Sequence, residues 1–230
     1  TGDRRHDSPW PAPGLTPPPG HAELRGRGWR LLSVTNVASR ARTTGIRMSR
    51  WLDSPLRYGL VSRLLHWSMA ALLLWQFASM AVKNIVGRHP LTAFMVGSHK
   101  PVGTLLMLLV LLRGAWGLSQ WARRPPHPRT LIGRGATAGH AVLYALMAYV
   151  PAVALLREAG SGRGFAPFGI PLFPATGQKI EWMLAPANLS HGVLAWTLCA
   201  LVAGHVLMVA LHQVWWRDGT LARMAGPLQR

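Results

Sequence analysis

From Leu189 to Trp216 the chain runs 28 residues without a single Asp, Glu, Lys or Arg. A helix of that length and composition matches a lipid bilayer, whose hydrocarbon core takes about 20 apolar helical residues to cross. Two histidines, His191 and His205, lie inside it. Fourteen steps of 100° come within about 40° of whole turns, so both imidazoles face one side of the helix, roughly 21 Å apart along its axis. Ionisable side chains at membrane depth are expensive and mark function. Two on one face at this spacing suggest two stacked ligand sites.

Three more apolar runs accompany this one: Leu64 to Val82, Pro101 to Ala122 interrupted by Arg113, and Gly135 to Leu156. Half of all residues are apolar and only 14% are charged, with the charges gathered between the runs. The expected fold is therefore an all-α membrane protein, a bundle of four transmembrane helices. The second run is kept as a helix although Arg113 interrupts it, because Gly114 to Ala122 continues apolar and an intramembrane Arg is better explained by a partner.

Residues 1–47 differ in character. They contain PWPAPGLTPPPG, eight Arg against three acids, and no apolar periodicity. This composition is expected to form a disordered basic arm, and it lacks the apolar core of a secretory signal. An upstream extension from a misassigned start codon is one reading of the break at Met48, with residues 48–230 as the transmembrane domain. The arm contributes five of the net +18 charges, leaving +13 to be placed.

Twelve basic residues fall on one side of the four runs: Arg47, Arg50, Arg57, Arg63, Arg113, Arg123, Arg124, Arg129, Arg134, Arg217, Arg223 and Arg230. Six fall on the other: Lys83, Arg88, Lys100, Arg157, Arg163 and Lys179. The positive-inside rule then expects both termini in the cytoplasm. Basic loops beside anionic headgroups account for the charge, so no nucleic-acid partner is expected.

That topology sorts the histidines by depth. His66, at the inner start of the first helix, shares a level with His205; His99, at the outer start of the second, shares a level with His191. Two imidazoles at one depth on facing helices suit bis-histidine ligation of a haem iron. A single membrane histidine is more simply an interhelical hydrogen bonder, but four that pair by depth are harder to explain that way. A structural zinc site needs four close ligands, which pairs roughly 21 Å apart do not offer. Gly103, Gly192, Ala195 and Gly204 leave room for a flat macrocycle or for ordinary helix packing.

Several segments carry a family resemblance: SRLLHW at Ser62–Trp67, SHKPVGTLLMLLVLLR at Ser98–Arg113, GHAVLYALMAYVPAVAL at Gly139–Leu155, FAPFG at Phe165–Gly169, SHGVLAWTLCALVAGH at Ser190–His205, and WRDGTLARM at Trp216–Met224. From about Leu56 to Met224 the chain resembles the bacterial cytochrome b561 family of four-helix, di-haem membrane proteins. The resemblance implies two b-type haems and places the family's four ligands on His66, His99, His191 and His205, the set that depth selects. Residues before Met48 have no counterpart in it.

Arg113 repeats the fourteen-residue spacing from His99, which puts it at the inner level. There it either pairs with a haem propionate or snorkels to the interface; Arg63 and Lys100 have similar standing. His212, seven residues after His205, and His140, at the expected start of the third helix, lie where a quinone head group could meet them, though an interfacial role is the simpler expectation. His6, His21, His89 and His127 sit in polar or Pro-rich stretches, with no chemistry assigned. Cys199 is the only cysteine, and no C-x-x-C-H motif attaches haem covalently. Trp67, Trp116, Trp121, Trp215 and Trp216 are expected in interfacial belts, while Trp67 and Trp196 have a second reading as haem lining.

Six-coordinate haems leave no open iron position, so the expected chemistry is electron transfer between the two faces, with quinone as the membrane-soluble terminus. Resemblance to the short single-chain members implies superoxide oxidation outside and ubiquinone reduction, with Lys83, Arg88 and Lys100 drawing in the anion. An electron-transfer subunit bound to a hydrogenase or dehydrogenase as redox partner protein is the second expectation. A haem-free membrane scaffold is the third.

Overall fold

A computed structural model describes residues 50–125 and 130–226. The arm at 1–47, and with it the expectation of disorder, lies outside the described residues, as do Arg129, Arg230 and His127. Four long helices dominate: α1 Leu60–Val86, α2 Pro90–Ser119, α3 Leu131–Gly160 and α4 Glu181–Leu211. A short α5, Thr220–Ala225, follows a π-turn at His212–Trp216. Among the described residues there is no strand, only an isolated bridge between Phe165 and Phe173. All four long helices are long and apolar enough to cross a bilayer.

All four helices begin earlier than their apolar runs, α1 and α3 by one turn and α2 and α4 by more. α2 starts at Pro90, eleven residues before the expected Pro101, and α4 starts at Glu181 with Pro186 inside it. A proline in a helix interior removes one hydrogen bond, but a membrane helix tolerates it because neighbouring groups satisfy the freed carbonyl. The true start of α2 is a reciprocal cap: His89 Nδ1 accepts from Leu91 N at 3.2 Å, and Thr92 Oγ1 accepts from His89 N at 2.9 Å. Pro90 at the first helical position has no N–H to leave unsatisfied. His89, given no role above, is thus the N-cap. α3 opens likewise on Thr130, whose hydroxyl accepts from Gly133 N at 3.1 Å.

The helices pack in sequence, α1 on α2, α2 on α3 and, most extensively, α3 on α4. Among the described residues α4 makes no comparable contact with α1 or α2. The buried cluster Met69, Leu106 and Val110, backed by Leu72, Leu73, Leu109, Met147 and Ala148, therefore joins α1, α2 and α3 and leaves α4 out. Large apolar side chains such as Leu74, Leu189 and Val193 stay exposed. In lipid this exposure costs nothing, because acyl chains are as apolar as leucine.

At the end of the bundle where α1 begins, three segments are tied together. Asp53 Oδ1 accepts the Gly59 N–H at 2.8 Å just ahead of α1, and its Oδ2 takes Arg124 Nε at 3.2 Å from beyond α2. Tyr58 N donates to Arg223 O at 3.2 Å, and Trp67 Nε1 to Met224 O at 3.4 Å, holding α5 against α1. Trp116, expected in a belt, instead points inward and donates Nε1 to Ser62 Oγ at 2.9 Å.

Candidate haem sites between the helices

The level expected on the outer side is built on α2, α4 and α3. His99 lies nine residues into α2 and His191 ten into α4, so both sit about three turns inside the helices rather than at their starts. That corrects the expected depth, and the early helix starts are its cause. The two rings face each other with centroids 6.3 Å apart and planes at 78°. An iron between two imidazoles, each nitrogen about 2 Å from the metal, sets ring centres about 6 Å apart. His191 Nδ1 lies 3.1 Å from Val150 O. Donating there fixes the tautomer whose Nε2 is free for a metal, the usual outer support of a ligating histidine.

Space for a planar group is present as well. A Cβ added at Gly192 or Gly204, the neighbours of His191 and His205, would meet nothing within 4 Å. Both open toward space on a helix that stands off from α1 and α2. Gly103 does not belong with them, because its Cβ position lies 3.1 Å from Gln76 Nε2. Its small size admits a side chain of α1. Among the described residues no three His, Cys, Asp or Glu side chains come close enough to cage a metal ion. Paired imidazoles therefore suit a group that brings its own equatorial nitrogens, and the residues present fit a haem.

The level expected on the inner side holds three imidazoles rather than two. His205 on α4 contacts His140 on α3, with ring centroids 5.3 Å apart at 76°. His66 on α1 lies within electrostatic reach of Arg113, His205 and His140. His140 is the residue that sequence reasoning undervalued. It sits nine residues into α3, not at its start, and α3 runs antiparallel to α4 with Val150 opposite His191, which brings position 140 toward 205. A helix started at Gly135 hid that register.

Arg113 reaches inward and donates Nη1 to Ser62 O at 2.7 Å, one turn before His66. Lys100 is committed to an ion pair with Glu158 at 2.8 Å, the carboxylate side chain being 6% exposed and the lysine 46%. Lys83 and Arg157 are the cations within reach of His99. Cys199 is a half-buried free thiol.

His212 belongs to the turn after α4. Its Nδ1 lies 2.6 Å from Asp218 Oδ2, and Asp218 Oδ1 accepts Thr220 N at 3.0 Å. The Thr220 hydroxyl, then its amide and His212, hold the Asp218 carboxyl down to about 2, against an ordinary 3.8. A depressed folded pKa stabilises the turn above the unfolded value, and the benefit is lost as pH falls through about 2. A carbon-13 titration of the carboxyl should find its midpoint near 2, and Thr220→Val should move it upward. An unmoved midpoint would remove Thr220 as the cause.

Apolar helices of membrane length with imidazoles paired between them have the form of a membrane cytochrome of the b type. The profile of the prokaryotic cytochrome b561 family matches residues 57–227. Cytochrome b561 homolog 2 of Escherichia coli (strain K12) is 29% identical over 182 residues, covering 76% of this chain and 94% of that protein. The chain belongs to the prokaryotic cytochrome b561 family. It is a multi-pass bacterial membrane cytochrome of electron transfer, and the family binds b-type haem.

Proposed function

We propose that the chain is a stand-alone di-haem oxidoreductase that takes electrons from superoxide at the outer face and delivers them to ubiquinone. The observation that carries this reading is the His99–His191 pair, whose ring centres lie 6.3 Å apart, together with a second imidazole level fourteen residues further along α4. His99 and His191 hold the outer group; His66 and His205 hold the inner one. A bis-imidazole haem supplies one-electron chemistry with no open iron position. The His140 ring packs edge-on against His205, whereas the Val150 carbonyl hydrogen-bonds His191, and Arg113, held against Ser62, would supply positive charge for a haem propionate at the inner level.

Superoxide is an anion, and Lys83 and Arg157 beside His99 supply the attraction. Lys100 contributes less than its charge suggests, because Glu158 neutralises it. Two superoxide ions give two dioxygen molecules and two electrons, and one ubiquinone takes those electrons with two protons to become ubiquinol. The twelve-to-six bias of basic residues supports termini on the cytoplasmic side.

The test exposes purified protein to an enzymatic superoxide source and follows the b-type alpha band and ubiquinol together. Haem reduction followed by ubiquinol formation is expected. Haems that stay oxidised under superoxide, yet reduce with an added dehydrogenase or hydrogenase, would replace this reading with that of an electron-transfer subunit.

A further inference from the structure

The antiparallel pair α1 and α2 is registered by two side-chain hydrogen bonds. Trp75 Nε1 donates to Ser98 Oγ and Gln76 Nε2 donates to His99 O, each at 2.9 Å. Gln76 is 8% exposed, in the middle of an apolar helix. An amide in such a place is costly unless both of its ends are bonded. Here only one end is: Gln76 Oε1 is buried without a partner, and His99 Nδ1 is another buried side-chain atom without one. One is an acceptor and the other an imidazole nitrogen, and they belong to residues already joined by a hydrogen bond. Gly103, one turn beyond His99, leaves the notch in α2 that lets the amide approach so closely.

We infer that Gln76 is the positioning residue of the outer ligand His99, its side-chain oxygen accepting the Nδ1–H so that Nε2 is presented to iron. The inference rests on the ligand reading proposed above. A metal-bound imidazole needs an acceptor for its second nitrogen, and that acceptor sets ring orientation and ligand basicity. His191 has Val150 O. For His99 the buried acceptor without a donor is Gln76 Oε1; the two atoms are not bonded to each other in the structure, and a bond between them would satisfy both. The two axial ligands of the outer site are then braced differently, His191 by a main-chain carbonyl that no substitution removes and His99 by a side chain that substitution can retune.

The sign of the effect separates this role from helix packing. An acceptor on Nδ1 makes the imidazole a stronger donor to iron and favours the oxidised state. In the full-length, haem-loaded protein, Gln76→Leu should raise the midpoint potential of the outer haem and Gln76→Glu should lower it, with the inner haem unmoved. Redox titration at the alpha band, with low-temperature electron paramagnetic resonance of the oxidised haems, reads both shifts. The outer component is identified as the one missing from His99→Ala. Shifts in one common direction, or none while thermal stability falls, would reduce Gln76 to a packing residue. Retention of both haems by His99→Ala would instead overturn the ligand reading and this inference with it. If Gln76→Leu does not fold, Gln76→Glu against the wild type still decides the sign.

Discussion

Replacing His191 by alanine is expected to leave purified protein with one haem in place of two, halving the reduced alpha band. The outer site depends on this imidazole because its ring faces His99 across the stand-off between α2 and α4. Truncation leaves a single axial nitrogen, which does not hold a non-covalent haem with bis-histidine character. The helix should survive the change, since alanine is the best helix former. The unpaired Val150 carbonyl adds a penalty of about 1–3 kcal/mol. The inner site lies roughly four turns away along α4 and should keep its haem. His205→Ala is expected to give the mirror result. His140→Ala should keep both haems while disturbing the spectrum of the inner one, because it contacts a ligand without replacing it. Haem content by pyridine haemochrome, with electron paramagnetic resonance to tell the sites apart, checks all three variants. Two haems retained after His191→Ala would remove that residue from the ligand set.

Much of this architecture is legible in the chain because a bilayer imposes simple rules. Four long apolar stretches, one of them interrupted by Arg113, must become helices, since no other open structure satisfies its backbone in lipid. Their order and the charge of the loops then set the depth of every histidine. The same rules blur the helix ends. Lys100 and Pro101 read as a boundary in water-based terms, yet α2 passes through both because Glu158 on α3 pairs with the lysine and the membrane tolerates the proline. Moving the start to Pro90 carried His99 three turns inward; moving that of α4 to Glu181 did the same for His191. The two remained level because both helices grew at the same face.

What the chain does not disclose is which helices touch. Pairing by depth treats every helix as equally near every other, whereas α4 lies along α3 and away from α1 and α2. That asymmetry gives His140 its contact with His205 and puts Val150 behind His191, while the packing of α1 on α2 brings Gln76 to the His99 carbonyl. His140 and Gln76 are polar side chains on apolar helices that hydropathy counts as blemishes, and Val150 acts through a main-chain carbonyl that hydropathy does not see. They are recognisable only once the lateral packing is known, as partners of the residues that a motif names.

The largest stability effect is expected at Asp53, which no motif marks. Its side chain is 0% exposed and performs two tasks: one oxygen accepts the N–H of Gly59 ahead of α1, and the other holds Arg124 from the far end of α2. The guanidinium also lies 5.9 Å above the Tyr58 ring and packs on Gly117. Burial pushes the Tyr58 hydroxyl pKa up, while Arg124 pulls it down. Asp53→Ala leaves an N–H and a mostly buried guanidinium without their acceptor. Removing one partner of such a pair costs several kcal/mol when both are buried; with Arg124 23% exposed and able to rehydrate in part, about 3 kcal/mol is the expected loss. Asp53→Asn should cost less, because its amide oxygen still accepts from Gly59. Asp53→Leu combined with Arg124→Met should be milder than Asp53→Leu alone, since it removes both charges together. Denaturant unfolding in detergent measures each loss. The inner site should fail first: Gly59 is three residues from Ser62, which accepts from Arg113 and Trp116, and His66 is one turn further on. Inner haem should therefore dissociate from Asp53→Ala at lower denaturant than outer haem. Simultaneous release of both would mean that the ties at the inner end hold the whole bundle rather than one site.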